Sequence, residues 1–442
     1  MKSNSWPEVL LGDHVDFLTG FPFKSAKYID DPTGIRLLRG DNVVQGALRW
    51  ENCKRWTSSE IEQFSKYSLE YNDVVLAMDR PWIEAGLKWA YIKGSDLPCL
   101  LVQRVSRLRG KNGLLTNFIR YIISDINFTN YVKSVITGIN IPHISGPQIQ
   151  AYQFRLPPIK TQQKIASILS NYDDLIENNT RRIEILEQMA KLVYEEWFVK
   201  FRFPGHEKVK MGSSELGEIP EGWEVEKLSE LVKTQYGYTE SATEEEIGPK
   251  FLRGKDINKQ SYISWDEVPF CSISPEVLDK YLLKKGDIVV IRMADPGKVG
   301  IVETEVNAVF ASYLIRLEII KNIKPYYLFY FLQSDKFQNY VTAASTGTTR
   351  KSASAGVITN IDLIIPPEYL LTLFEDKIGL LRKQLNILIN KNQNLRKTRD
   401  LLLPKLISGE IDVSDLDIHI RDELEVSQIQ KTENKSESIT SF

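Results

Sequence analysis

The stretch TQQKIASILSNYDDLIENNTRRIEILEQMAKLVYEEWFVK (residues 161–200) carries apolar residues at alternating steps of four and three: Ile165, Leu169, Tyr172, Ile176, Ile183, Leu186, Ala190, Val193 and Trp197. Asn179 interrupts the stripe. A second stretch, LLTLFEDKIGLLRKQLNILINKNQNLRKTRDLLLPKLIS (residues 370–408), steps the same way through Phe374, Ile378, Leu381, Leu385, Leu388, Leu395, Leu402 and Leu406, with Asn392 and Arg399 as its polar members. A seven-residue repeat kept up over about five heptads holds one seam of a helix against a partner helix. Each stretch therefore reads as a single helix of about 60 Å at 1.5 Å rise per residue, longer than the core helix of an ordinary globular domain.

The echo extends beyond the helices. LLRGDN (residues 37–42) returns as FLRGKD (251–256), and NDVVL (72–76) as GDIVV (286–290), both at an offset of 214. VSRL (105–108) returns as LIRL (314–317) and Pro157-Pro158 as Pro366-Pro367 at an offset of 209, which the long helices share. The offset is 215 at Pro81 and Pro296, so the first copy holds six extra residues before Val105, in the region of WIEAGLKW (82–89). Internal repetition at this length means two copies of one unit, a domain followed by a helix. Short β-branched runs at 287–291, 299–304 and 311–320 predict strands, and helical spacing takes over at 118–135 and 326–341. The expected class is α+β: two tandem mixed α/β domains separated by two long helices that form an antiparallel coiled coil with a pseudo-two-fold axis. The expected boundaries are a first domain over 1–160, a first helix over 161–203, a linker over 204–222, a second domain over 223–369, a second helix over 370–409 and an acidic tail over 410–442.

The chain has 442 residues, 42% hydrophobic and 26% charged, the make-up of a soluble globular protein of two or three domains. No apolar run reaches the roughly 18 residues a membrane span needs, and the N-terminus lacks a signal-peptide core, so a cytoplasmic protein is expected. Cys53, Cys99 and Cys271 are too scattered for a disulfide framework or a zinc site and read as reduced structural thiols. The net charge of −2 conceals a segregation: from Glu410 onward nine acids face three cations, so residues 1–409 carry +4. The polar end after about residue 425 reads as a disordered tail.

The runs LPPIKTQQKI (156–165), WFVKFRFPGH (197–206), LGEIPEGW (216–223) and LLPKLISGEI (402–411) resemble the specificity subunit of type I restriction-modification enzymes. The resemblance covers roughly residues 5–413, in order and twice over. It implies two DNA target-recognition domains, each reading half of a bipartite asymmetric site. Implied partners are double-stranded DNA, two methyltransferase subunits and restriction (motor-nuclease) subunits. It also implies a non-catalytic chain, with S-adenosylmethionine, ATP and magnesium held only by partners. The residues agree: there is no Asn/Asp-Pro-Pro-Tyr/Phe loop, no phosphate-cradling Gly-x-x-x-x-Gly-Lys run and no metal-spaced cluster, so no catalytic, cofactor or metal residue is assigned. The rival from another class is a coiled-coil adaptor whose two domains bind proteins.

DNA contact needs cations and backbone amides for phosphates, with forked or amide side chains for base edges. Arg39, Asp41 and Asn42, and Arg253, Lys255 and Asp256 in the second copy, follow a strand into a turn, where a turn salt bridge with a side-chain cap is an equal alternative. Arg80 and Trp82, and Arg292 and Lys298, lie in the loops that differ most between the copies; the alternative is an ordinary hairpin. Arg104 leads a cationic run with Arg107, Arg109 and Lys111, of which Arg107 matches Arg316 in a strand, and Tyr313 is a candidate within the strand expected over 311–320. Thr137, Asn140 and His143 in TGINIPHIS (137–145), and Thr346, Thr348, Thr349, Arg350 and Lys351 in STGTTRKS (345–352), form small-residue loops suited to a phosphate.

An antiparallel pairing of the repeated helices fixes a register. If Asn179 faces Asn392, Ile183 faces Leu388, Leu186 faces Leu385 and Trp197 faces Phe374. Two amides then satisfy each other within an apolar seam. The paired helices are expected to set the two reading loops about one DNA turn (~34 Å) apart. Their outer faces, with Trp197 and Phe198 near one end, are expected to dock methyltransferase subunits, and Pro404 is expected to kink the second helix.

Overall fold

The computed structural model describes residues 6–83, 86–138, 142–258, 260–321, 323–345, 351–418 and 420. They divide into two compact units, one drawn from residues 1–176 and 394–442, the other from residues 177–393.

In the first unit an antiparallel sheet is built from β1 (Val15–Thr19), β2 (Val74–Ala77), β3 (Trp89–Tyr91) and β4 (Val105–Gly110), in the order β1-β4-β2-β3. All four residues of β2 are buried, which is why it reads Val-Val-Leu-Ala rather than alternating. Beside this sheet, Ile35–Leu38 pairs parallel with Cys99–Leu101. Two helices follow, α1 (Thr116–Ser124) and α2 (Ile126–Val135), where the spacing predicts one. Asp125 breaks it: the residue is extended (φ −66°, ψ 142°) and its carboxylate accepts the Asn127 amide at 2.7 Å, a cap that starts a new helix. The long helix α3 runs Ile159–Tyr194, and residues up to 176 belong to this unit. Its Ile165, Ala166 and Leu169 share a core with Phe118, Ile122, Leu403 and Leu406.

The second unit repeats the plan. Strands β5 (Val232–Tyr236), β6 (Ile288–Ile291), β7 (Val299–Ile301) and β8 (Leu314–Ile319) order as β5-β8-β6-β7, and Lys250–Leu252 pairs parallel with Ala308–Phe310. Helices α4 (Pro325–Gln333) and α5 (Asp335–Ala344) are again divided by a cap, Ser334, before the second long helix, α6 (Glu368–Ser408). The repeat reaches single atoms. A Cβ on Gly20 would lie 2.3 Å from the Val102 carbonyl oxygen, and one on Gly237 would lie 2.2 Å from that of Ala311, so only glycine lets the chain cross there. The extra residues of the first copy form a small hairpin, Trp82–Ile83 against Gly86–Leu87.

Two expectations change. The linker over 204–222 is ordered: Met211–Ser214 pairs with Gly217–Pro220, and Phe203, Ile219 and Trp223 are buried in the second core. Trp197 and Phe198 do not lie on an outer face. The helix closes in a π-helical turn, Glu195–Val199, which directs both rings into a cluster with Tyr194, Tyr327 and Phe374. The helix α6 runs on through Pro404 to Ser408, with Leu403 and Leu406 buried on either side of the proline.

In the second unit the Asn179 Nδ2 donates to Asn392 Oδ1 at 2.9 Å, and Asn392 Nδ2 donates to Thr180 Oγ1 at 3.2 Å. Next to them Ile183, Leu186, Leu385 and Leu388 cluster, and Trp197 meets Phe374 with ring centroids 5.9 Å apart. Within this unit the two helix segments therefore run in opposite directions.

Each long helix also supplies an acceptor to the start of an earlier helix of its unit, α1 in the first and α4 in the second. Gln162 accepts the Leu115 amide at 2.9 Å, and Glu375 accepts the Tyr326 amide at 3.0 Å. Burial pushes the Glu375 carboxyl up to about 7. Because the folded state holds this proton more tightly than the unfolded chain, the stability it contributes is full at acidic pH and is lost as pH rises toward 7 and beyond. Glu375→Gln, which keeps the acceptor, is expected to raise stability at pH 8 by on the order of 2 kcal/mol and to change little at pH 4. Urea unfolding at the two pH values checks this; an equal effect at both contradicts it.

No described helix is long and apolar enough to cross a membrane. Of the three free cysteines Cys99 and Cys271 are buried, and burial pushes the Cys271 thiol up to about 11. Of the acidic tail, Ile411 and Val413 pack on the first core, while residues 419 and 421–442 lie outside the described residues.

Candidate nucleic-acid interface

In each unit three loops are tied together by three main-chain hydrogen bonds in the same pattern. In the first, the Met78 amide donates to the Arg104 carbonyl at 2.8 Å, the Arg80 amide to the Pro142 carbonyl at 2.7 Å, and the Ile144 amide to the Met78 carbonyl at 2.9 Å. In the second, the Arg292 amide donates to Tyr313 at 2.9 Å, the Ala294 amide to Lys351 at 3.0 Å, and the Ala353 amide to Arg292 at 2.9 Å. The loop after the second sheet strand turns through a left-handed residue in both, Arg80 (φ 44°) and Ala294 (φ 71°). A strained non-glycine backbone held by paired amides on both sides is the kind of scaffold that fixes side chains for recognition.

The side chains on this common frame differ. In the first unit Asp79 is the hub: Arg104 bonds its Oδ2, and His143 Nδ1 lies 2.6 Å from its Oδ1. Burial pulls the Asp79 carboxyl up, but the hydrogen bonds from Arg104 and His143 outweigh it and hold the carboxyl below its ordinary value. Thr137 and His143 exchange main-chain bonds at 3.0 and 2.8 Å, which aligns the loop carrying His143. Trp82 on the inserted hairpin is exposed, with Lys133 Nζ 3.8 Å from its ring centroid. Lys88 is half-buried close to Asp41, Arg80 and Asp79, and burial lowers its pKa.

In the second unit the frame carries no such acid among the described residues. The Arg292 guanidinium lies 4.9 Å over the Tyr236 ring, and the Tyr236 hydroxyl accepts the Ala355 amide at 3.0 Å. Tyr313 is exposed at the turn between Ala308–Phe310 and β8, rather than inside one long strand, and Lys351 is exposed, its carbonyl tied to the Ala294 amide.

Other candidates are drawn elsewhere. Asn42 is buried, accepting the Arg39 amide at 3.0 Å and donating to the Arg49 carbonyl at 2.9 Å, while Arg39 pairs with Asp41 at 3.2 Å. Arg253 turns its guanidinium onto Asp256, at 3.0 and 2.9 Å, and Lys255 lies within the same short 3-10 turn. Arg107, Arg109 and Arg316 are strand residues paired with Asp16, Asp73 and Asp287. Lys298 lines a cavity of about 550 Å³ with Glu184, Glu187 and Ser261. Asn140, Thr346, Thr348, Thr349 and Arg350 lie outside the described residues. The sequence reading passed over Asp79, Lys88, Lys133 and Tyr236 as individual site residues. Asp79 directly precedes the candidates Arg80 and Trp82, and Lys88 lies in the stretch of extra residues, whereas Lys133 and Tyr236 carry no such local signal.

Among the described residues no group of three or more His, Cys, Asp or Glu side chains could hold a metal ion. The profile of the type I restriction modification DNA specificity domain matches residues 5–188 and 220–370. The chain is 26% identical over 436 residues to the type I restriction enzyme MjaVIII specificity subunit of Methanocaldococcus jannaschii, covering 93% of this chain and 94% of that one. It is 28% identical over 337 residues to the MjaIX specificity subunit of the same organism, covering 74% of this chain and 76% of that one. The crystal structure of the type I restriction-modification S subunit from M. genitalium shares the fold, with a TM-score of 0.55 and 15% identity over 92% of this chain and 98% of that one. With both repeats matched, the chain belongs to the family of type I restriction modification DNA specificity domains.

Proposed function

We propose that this chain is the DNA-recognition subunit of a type I restriction-modification complex, each unit reading one half of a bipartite, asymmetric site. The observation that carries the reading is the repeated three-bond loop frame bearing different side chains: Asp79, Arg104, His143 and Trp82 in one copy, Arg292, Tyr313 and Lys351 in the other. Identical frames with unlike chemistry suit two unlike half-sites. The long helices serve as an antiparallel coiled-coil spacer between related halves, a reading supported by the Asn179–Asn392 bond. The chain positions two methyltransferase subunits, and restriction subunits in the full complex. S-adenosylmethionine, ATP and magnesium are bound by those partners, and the chain contributes no catalytic residue.

A mobility shift with duplex DNA across salt concentrations, with and without a methyltransferase subunit, tests this reading. Affinity should fall by roughly 10³ to 10⁵ between 50 and 200 mM salt if about six to ten phosphates are contacted. Salt-independent or absent binding in both arms would favour a protein-binding adaptor instead.

A further inference from the structure

The long helices grip their domains at repeat-related positions whose charges are reversed. The offset of 209 that aligns the helix seams makes Asp173 on α3 the equivalent of Arg382 on α6, Tyr121 on α1 that of Tyr330 on α4, and Arg120 that of Phe329. Strand register adds a fourth pair: Val74 faces Tyr91 as Ile288 faces Ile301, so Lys93 and Glu303, each two residues further on, correspond.

In the first unit the helix presents the acid. Arg120 donates to the Tyr121 hydroxyl at 2.6 Å, which donates to Asp173 Oδ2 at 3.1 Å, and Arg399 reaches Asp173 Oδ1 at 2.8 Å. The Arg120 guanidinium lies 4.4 Å over the Tyr91 ring. In the second unit the helix presents the cation. Arg382, 1% exposed, donates to both oxygens of Glu303 at 2.8 and 2.6 Å, and to Ser261 Oγ and O at 2.8 and 3.0 Å. Its guanidinium lies 5.5 Å from the ring of Phe329. A buried guanidinium among aromatic rings therefore anchors helix to domain in both units, supplied by the domain in the first and by the helix in the second.

Such pairs discriminate more than they stabilise. Desolvation offsets most of the attraction of a matched buried pair, but a mismatched one leaves a buried charge uncompensated or faces it with a like charge. A domain of the first type seated on α6 would bring Arg120 and Lys93 toward Arg382. A domain of the second type seated on α3 would bring Glu303 toward Asp173. We propose that these charge-inverted anchors assign each recognition domain to its own helix. The face of α6 around Arg382 fits a domain with an acid at the Glu303 position and an aromatic ring at the Phe329 position; the face of α3 around Asp173 fits a domain with a cation at the Arg120 position. The assignment holds whatever the domains bind.

The test uses the full-length chain and thermal unfolding. Arg382→Asp, which gives the second helix the residue of the first, is expected to lower the midpoint by on the order of 10 °C, well beyond the neutral Arg382→Met. Glu303→Lys, the first-copy residue at that position, is expected to be similarly harmful alone and to recover at least half of the loss when combined with Arg382→Asp. If a single variant does not fold, soluble yield of the double variant against each single decides the same question. The proposal is overturned if Arg382→Asp costs no more than Arg382→Met, or if the double variant is no better than the worse single.

Discussion

Asn179→Leu destabilises the second unit by roughly 1–3 kcal/mol, and adding Asn392→Leu returns most of that loss. Asn179 and Asn392 are 9% and 3% exposed, so the amide left behind by either single replacement has no water to turn to. In the Asn179→Leu chain, Asn392 keeps Thr180 Oγ1 for its Nδ2, but its Oδ1 loses the 2.9 Å donor and meets a methyl group. In the double variant, two leucines continue the apolar layer of Ile183, Leu385 and Leu388, so neither helix buries an orphaned polar group. The amide pair therefore adds little net stability over an apolar pair; its contribution is to make every other register costly, the role of a polar residue in a seam. Urea unfolding of the wild type, both singles and the double separates the terms in one cycle. A double variant as unstable as the worse single would show that the amides do not act as a pair.

That register was legible in the sequence because it rests on periodicity and repetition, which survive translation into structure without knowledge of any long-range contact. The offset of 209 carried over unchanged to the helix pairs α1 and α4, α2 and α5, and to the capping positions Asp125 and Ser334. What the sequence concealed was side-chain direction at the ends of elements. Trp197 belongs to the heptad stripe and meets Phe374 as the register requires, but Phe198 does not belong to it, and a π-helical turn brings that ring into the core of the second unit as well. The stretch over 204–222 has the glycine, proline and charge of a linker, but Ile219 within it and Trp223 directly after it are buried, and Met211–Ser214 pairs with Gly217–Pro220 as a hairpin.

The candidate site divides along the same line. Arg253 and Asp256, three residues apart, could satisfy each other locally, and the turn closes them on one another. Asp79 and His143, 64 residues apart, come together only through strand and loop pairings that no local pattern announces. Lys133 sits on the helix α2 and reaches the ring of Trp82 on a hairpin with no counterpart among the described residues of the second copy.

Arg292→Ala is expected to weaken binding to the cognate DNA by about 10- to 100-fold and to relax sequence preference in one half-site alone, the ~1–3 kcal/mol that a well-placed bidentate contact contributes. Arg292 differs from the other arginines near the site in what surrounds it. Arg104, Arg253 and Arg316 are each drawn onto an acid, which occupies donor atoms a base edge would need. Arg292 has no acidic partner among the described residues; its guanidinium is held over the Tyr236 ring, and its Nε is buried without an acceptor. The ring contact holds the guanidinium without consuming its hydrogen-bond donors, and the main-chain bonds to Tyr313 and Ala353 fix where the side chain starts. Lys351→Ala provides the contrast. A phosphate-directed lysine should lower affinity for all sequences alike and reduce the slope of log K against log salt by about one, leaving the preferred half-site unchanged. Mapping methylated sites for each variant in complex with its methyltransferase, alongside mobility shifts at two salt concentrations, distinguishes the two behaviours. If Arg292→Ala keeps both affinity and the half-site preference while the second unit stays folded by thermal unfolding, the loop frame of that unit does not read bases through this residue.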